Sequence, residues 1–132
     1  MHIHKVSSNK MMNNISDSEK IKLIIEGIQE RKGRSITHVD LSDIPTSAAR
    51  HFIICQGTSS MHVASIADSV RDFMLEKATI KPYNYDGYRN SSWIVIDYGD
   101  VFVHVFLPDT RRLYDLEELW SDAAVTQIPD LD

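Results

Sequence analysis

Apolar residues recur along the chain in two rhythms, and the changes between them predict the order of elements. Ile21, Ile24, Ile25 and Ile28 stand at i, i+3, i+4 and i+7, the stripe of an amphipathic helix. The helix should begin at Ser16, because Ser16 and Glu19 have the S-x-x-E spacing of a capping box, each side chain covering an orphan amide. Gly33 supplies its stop. Thr37, Val39 and Leu41 then alternate with His38 and Asp40, as in a half-buried strand. After a turn at Pro45, His51 to Gln56 is a short, unbroken, β-branched run, which suits a central strand covered on both faces. Gly57-Thr-Ser-Ser60 opens a second helix with Val63, Ile66, Ala67, Val70 and Met74 on its buried side, fading near Lys77.

The second half is read in the same way. Tyr83 to Tyr88 is an aromatic, extended stretch with a turn at Gly87. Trp93 to Tyr98 and Val101 to Leu107 are strong strand signals, and only Gly99 and Asp100 separate them, the length of a two-residue hairpin turn. Pro108 ends the second of these strands, and Leu113, Leu116, Leu119 and Trp120 fall on one side of a short helix. The pattern predicts a single α/β domain over residues 16–120, a mixed, mostly five-stranded sheet with helices packed on it. Residues 1–15 read as a flexible polar arm and 121–132 as an acidic tail.

Composition narrows the class. The chain has 132 residues and a formal net charge of −5; at this length one domain is the default, and it needs no metal or disulfide staple. Cys55 stands alone, which fits a reducing compartment, and no secretory signal or membrane span is visible, so a cytoplasmic protein is expected. The charge is uneven. From Asp97 onward nine carboxylates face two arginines, making that segment −7 and residues 1–96 +2. An acidic balance argues against a DNA partner and suits a basic protein.

Candidate chemistry is thin. Gly57 to Ser60 could hold a phosphate at a helix start, but neither nucleotide-binding glycine pattern is present, and a turn with an N-cap accounts for the same residues. Asp97 and Asp100 could bind a metal, yet the only D-x-D is Asp130 and Asp132 at the terminus. His2 and His4 lie near a free end. Cys55 sits in the most apolar strand, where a thiol is inert packing. His104 is open to three roles: base, partner contact or structural group. His62 reads as an exposed polar position. No catalytic residue, cofactor or metal site is assigned. Trp93, Tyr98, Tyr114 and Trp120 gather beside the acidic hairpin and last helix, the mixture a protein-binding surface uses, although Trp120 could equally seal the core.

Two blocks carry a resemblance. The first is Phe52-Ile-Ile-Cys-Gln-Gly-Thr-Ser-Ser60 with His62-Val63, Ile66-Ala67-Asp68 and Val70. The second is Gly87, Trp93-Ile-Val-Ile-Asp-Tyr-Gly-Asp-Val101, Val103-His-Val105 and Arg111-Arg-Leu-Tyr-Asp-Leu-Glu-Glu-Leu-Trp120. Together they resemble the ribosomal silencing factor family (RsfS, Iojap, YbeB) from about Ser16 to Trp120. Asp86-Gly87 stands where the family more often has Glu-Gly, and the arm is longer than in many members. The resemblance implies a nucleotidyltransferase-like fold without the catalytic motif. It also implies a non-enzymatic protein that binds the large ribosomal subunit through its ribosomal protein fourteen. There it would block joining of the small subunit and repress translation under nutrient limitation; members of the family are often homodimers when free. On that reading the contacts are Trp93, Asp97, Tyr98 and Asp100 from the hairpin, and Tyr114, Asp115 and Glu118 from the last helix. The rivals are a nucleotidyltransferase-like enzyme using Gly57 to Ser60 with Asp97 and Asp100, and a general acidic adaptor for basic proteins.

Overall fold

In a computed structural model describing residues 15–131, the capping box closes as its spacing predicts: the Glu19 amide donates to Ser16 Oγ at 3.1 Å. Helix α1 spans Asp17–Glu30, followed by β1 (Arg34–Asp40), β2 (His51–Gln56) and the long helix α2 (Ser60–Ala78). Then come β3 (Asn84–Asp86), β4 (Trp93–Asp97), β5 (Val101–Phe106), two short helices α3 (Pro108–Tyr114) and α4 (Leu116–Leu119), and β6 (Ala124–Ile128). The strands form one open sheet in the order β3-β4-β5-β2-β1-β6. Among the described strands only β2 and β5 pair in parallel, with His51 opposite Val101 and Gln56 opposite Phe106.

The two faces of the sheet are dressed differently, and that difference positions the site. Helices α1 and α2 cover one face, driving Ile24, Ile28, Val63, Ile66 and Val70 against Ile53, Ile94, Ile96 and Val103. The helices meet closely at Gly27: a Cβ there would lie 2.9 Å from Val70 Cα, and Ser69 Oγ donates to the Gly27 carbonyl at 2.7 Å. Among the described residues no long helix lies on the other face. A smaller cluster of Val39, Leu41, Ile54, Phe106 and Leu116 lies there, edged by half-buried Phe52, Trp93, Phe102 and Trp120.

Two expectations are corrected, and a third falls outside the described residues. Residues 124–128, expected in a tail, are strand β6, paired antiparallel with β1 from Ala124–Asp40 to Ile128–Ile36, so the sheet has six strands. An edge strand with one neighbour buries little, and only Ile128 of the five is even half-buried, so no apolar rhythm announces it. The last helix is two helices, because Asp115 turns left-handed (φ 46°) between α3 and α4. Leu113 and Leu119, expected on its buried side, are therefore 77% and 71% exposed, and only Leu116 is buried. The expected arm, with His2 and His4, lies outside the described residues but for Ile15.

Candidate functional site

Strand alternation places Phe52, Phe102, His104, Trp93, Val95 and Asp97 on the face without long helices. At its centre the Trp93 indole N–H donates to His104 Nδ1 at 3.1 Å. The Trp93 ring stacks on Phe106 with centroids 5.0 Å apart, and Tyr114 lies 4.7 Å away at 45°. Phe52 meets His104 edge-on at 4.7 Å and Trp120 at 6.1 Å. Because Nδ1 accepts, His104 carries its proton on Nε2, and burial pulls its pKa down to about 4, so the ring is neutral. Of the three roles open to His104 from sequence, this geometry fits the structural one: it fixes the rotation of Trp93.

The segment crossing this face is clamped by Arg111. Its guanidinium donates to the Ser35 carbonyl at 2.7 Å, Thr37 Oγ1 at 3.0 Å, Gln56 Oε1 at 3.2 Å and Glu117 Oε2 at 3.1 Å. Those partners lie on β1, β2 and α4, so one planar fork with five donors ties the crossing helices to the sheet. The sequence reading missed this role. Its signal was an arginine pair inside an otherwise acidic segment.

Among the residues expected to make contacts, Trp93, Asp97, Tyr114, Asp115 and Glu118 are at least partly accessible, and Trp93 and Tyr114 touch. Tyr98 is a correction. It is 3% exposed, because it continues the inward series Ile94, Ile96, Tyr98 into the helix-covered core. Asp100 is turned away as well: Lys20 of α1 lies 3.7 Å from its carboxylate, and its carbonyl accepts from the Arg50 and His51 amides. Asp97 and Asp100 are thus not a pair on one surface. Asp97 instead accepts from the Gly99 amide at 2.7 Å and holds the turn, where Gly99 takes φ 87°.

The acidic end is also more selective than its formula. Asp100, Asp109, Glu117 and Asp130 pair with Lys20, Arg112, Arg111 and Arg34. Asp97, Asp115, Glu118 and Asp122 have no cationic partner among the described residues.

The loop expected to rival this site for phosphate is internally occupied. The Gly57 amide donates to the Phe106 carbonyl at 2.9 Å and the Thr58 amide to His62 Nδ1 at 2.9 Å, while His62 Nε2 lies 2.6 Å from the Arg31 carbonyl. His62 is therefore a tie between the loop and the end of α1, not a merely exposed polar group. Among the described residues no group of three or more His, Cys, Asp or Glu could hold a metal ion, and no helix is long and apolar enough to cross a membrane. Burial pushes the Cys55 thiol up to about 12.

The fold and this face define a class: a small α/β domain whose sheet presents fixed aromatics and unpaired carboxylates on the side its long helices leave open. Residues 14–132 match the family model described as ribosomal silencing factor during starvation, and the chain belongs to that family. It is similar to ribosomal silencing factor RsfS of Halalkalibacterium halodurans, 32% identical over 86% of this chain and 96% of that one. It is likewise 32% identical to the Bacillus subtilis RsfS, over 82% of this chain and 90% of that one. A crystal structure of a Chromobacterium violaceum protein superposes with a TM-score of 0.76 at 36% identity, covering 81% of this chain and 88% of that one.

Proposed function

We propose that this protein binds the large ribosomal subunit through its ribosomal protein fourteen and sterically keeps the small subunit from joining, so repressing translation when nutrients are scarce. The observation that carries the reading is the aromatic face around Trp93. A folded domain leaves rigid aromatic area part-exposed on a sheet face when a partner supplies the missing layer. Family membership favours a ribosomal partner, and the unpaired carboxylates Asp97, Asp115 and Glu118 suit a basic one.

The contact set is Trp93, Asp97, Tyr114, Asp115 and Glu118, extended by Phe52, Phe102, Leu113 and Leu119. Trp93 is the anchor, because stacking and its hydrogen bond to His104 fix it before binding. Tyr98 and Asp100 drop out of the set, being respectively buried and engaged by α1. The action is occlusion, in the cytoplasm, and asks no catalytic residue of the chain. Co-sedimentation with purified large subunits tests the acidic part. Asp97→Lys should weaken association by about tenfold or more, as like charges now meet across the contact. Asp100→Lys, on the other side of the hairpin, should leave it within about twofold of the parent. Equal effects of the two changes would overturn the assignment of this face.

A further inference from the structure

On the helix-covered side, far along α2, the chain encloses a groove that the ribosomal reading does not use. It consists of two hollows sharing Leu75, Ile80 and Lys81. One, of about 480 Å³, is also lined by Asp68, Arg71, Asp72 and Tyr85. The other, of about 380 Å³, reaches Lys20, Thr79, Tyr83 and Tyr98. Both volumes lie in the range of small-ligand sites.

Two buried polar atoms here lack a hydrogen-bond partner among the described residues: Arg71 Nε and Tyr98 Oη. Tyr98 is 3% exposed, so its hydroxyl is a standing cost to folding that phenylalanine would avoid. Around these atoms the polar groups are organised. The Arg71 guanidinium lies 3.8 Å above the Tyr85 ring, and its Nη1 donates to Tyr88 Oη at 3.4 Å. Tyr88 in turn donates to Asp68 at 2.8 Å. Asp72 and Lys81 are exposed and have no charged partner among the described residues. Tyr83 is 83% exposed, with its ring edge against Gly99.

We propose that this groove binds a single mononucleotide whose base carries an exocyclic amine. The larger hollow offers a flat cation–aromatic stack for the base, with Asp72 to accept from its amine. The smaller hollow offers donors for the phosphate: Lys81, which has no charged partner among the described residues, Lys20, which would exchange Asp100 for it, and the Tyr98 hydroxyl, which local opening on binding would expose. The carboxylates within the groove and the chain's net charge of −5 oppose a continuous RNA strand, which needs an extended basic track. One nucleotide satisfies the donors and the acceptor together.

Calorimetric titration of the full chain with AMP, GMP, CMP and UMP tests this without ribosomes, so its outcome is separate from that of the partner face. At least one of the three amine-bearing nucleotides should saturate a single site, with UMP, its nucleoside and inorganic phosphate each about tenfold weaker or more. Tyr98→Phe should weaken that nucleotide by about fivefold while raising resistance to urea, and Lys81→Ala should weaken it by a similar factor. No saturation at millimolar nucleotide, equal binding of UMP, or unchanged affinity in both variants would overturn the proposal. Tighter binding of a short oligoribonucleotide than of its mononucleotide would also overturn it, in favour of RNA.

Discussion

The Trp93 indole N–H donates to Nδ1 of His104 across neighbouring antiparallel strands, at 3.1 Å. This one bond sets both the ring orientation of the proposed anchor and the tautomer of the histidine beneath it. Replacing His104 with Phe keeps a ring in the stack but removes the acceptor. The unpaired Trp93 donor costs about 1–3 kcal/mol, and loss of the buried His104 Nε2–H, which has no partner among the described residues, offsets part of it, so urea unfolding at pH 7.5 should show a net loss of about 1 kcal/mol. A variant more stable than the parent would show that the bond contributes less than that partnerless N–H costs.

Acid should unfold the protein early. Burial lowers the pKa of His104 to about 4, and burial with the neighbouring His51 lowers that of His38, whose Nε2 lies 2.9 Å from His51 Nδ1. Asp40 partly offsets the effect on His38, and Asp17 of α1 sits 3.4 Å from His51 Nε2. Both histidines bind a proton more readily unfolded than folded. Stability is therefore full above pH 6.5 and falls as the pH drops toward 4, His104 alone accounting for about 3 kcal/mol. Chemical denaturation across pH 4–8 measures this, and His104→Phe should flatten the curve.

Leu113 and Leu119 separate folding from binding. Their exposure predicts that a Leu113→Ser, Leu119→Ser double variant keeps its stability within about 0.5 kcal/mol. The same variant should sediment less with large subunits. A large loss of stability would mean that these leucines pack on the fold after all.

Arg111→Met keeps length and loses the fork that joins α3, α4 and the sheet. It leaves Glu117 buried in part without its cation, and the expected loss is about 3 kcal/mol by thermal or urea unfolding. Gly27→Ala should also destabilise, by about 1–3 kcal/mol, since the added methyl meets backbone that cannot move aside.

These particular residues show what a sequence reading can and cannot reach. The two long helices, the central strand and the Gly99 turn are legible because each repeats a burial rhythm or needs a special backbone conformation. Burial of Tyr98 was legible too, in the alternation of Ile94, Ile96 and Tyr98, but its place beside the acidic turn suggested a surface. Strand β6 was not, because an exposed edge strand makes few apolar demands. The exposure of Leu113 and Leu119 depends on a left-handed residue at Asp115, a position with no glycine to mark it. The groove beside α2 joins residues from α1, α2, β3 and the turn after β4, and no local spacing brings those together.

The central claim is that the Trp93 face holds the large subunit and so prevents joining. Sucrose-gradient sedimentation of mixed large and small subunits, with the parent protein or a folded Trp93→Ala variant, tests it most directly. The parent should migrate with free large subunits and deplete joined ribosomes, and Trp93→Ala should do neither. Joined ribosomes that persist with the parent present, or a variant as effective as the parent, would contradict the account.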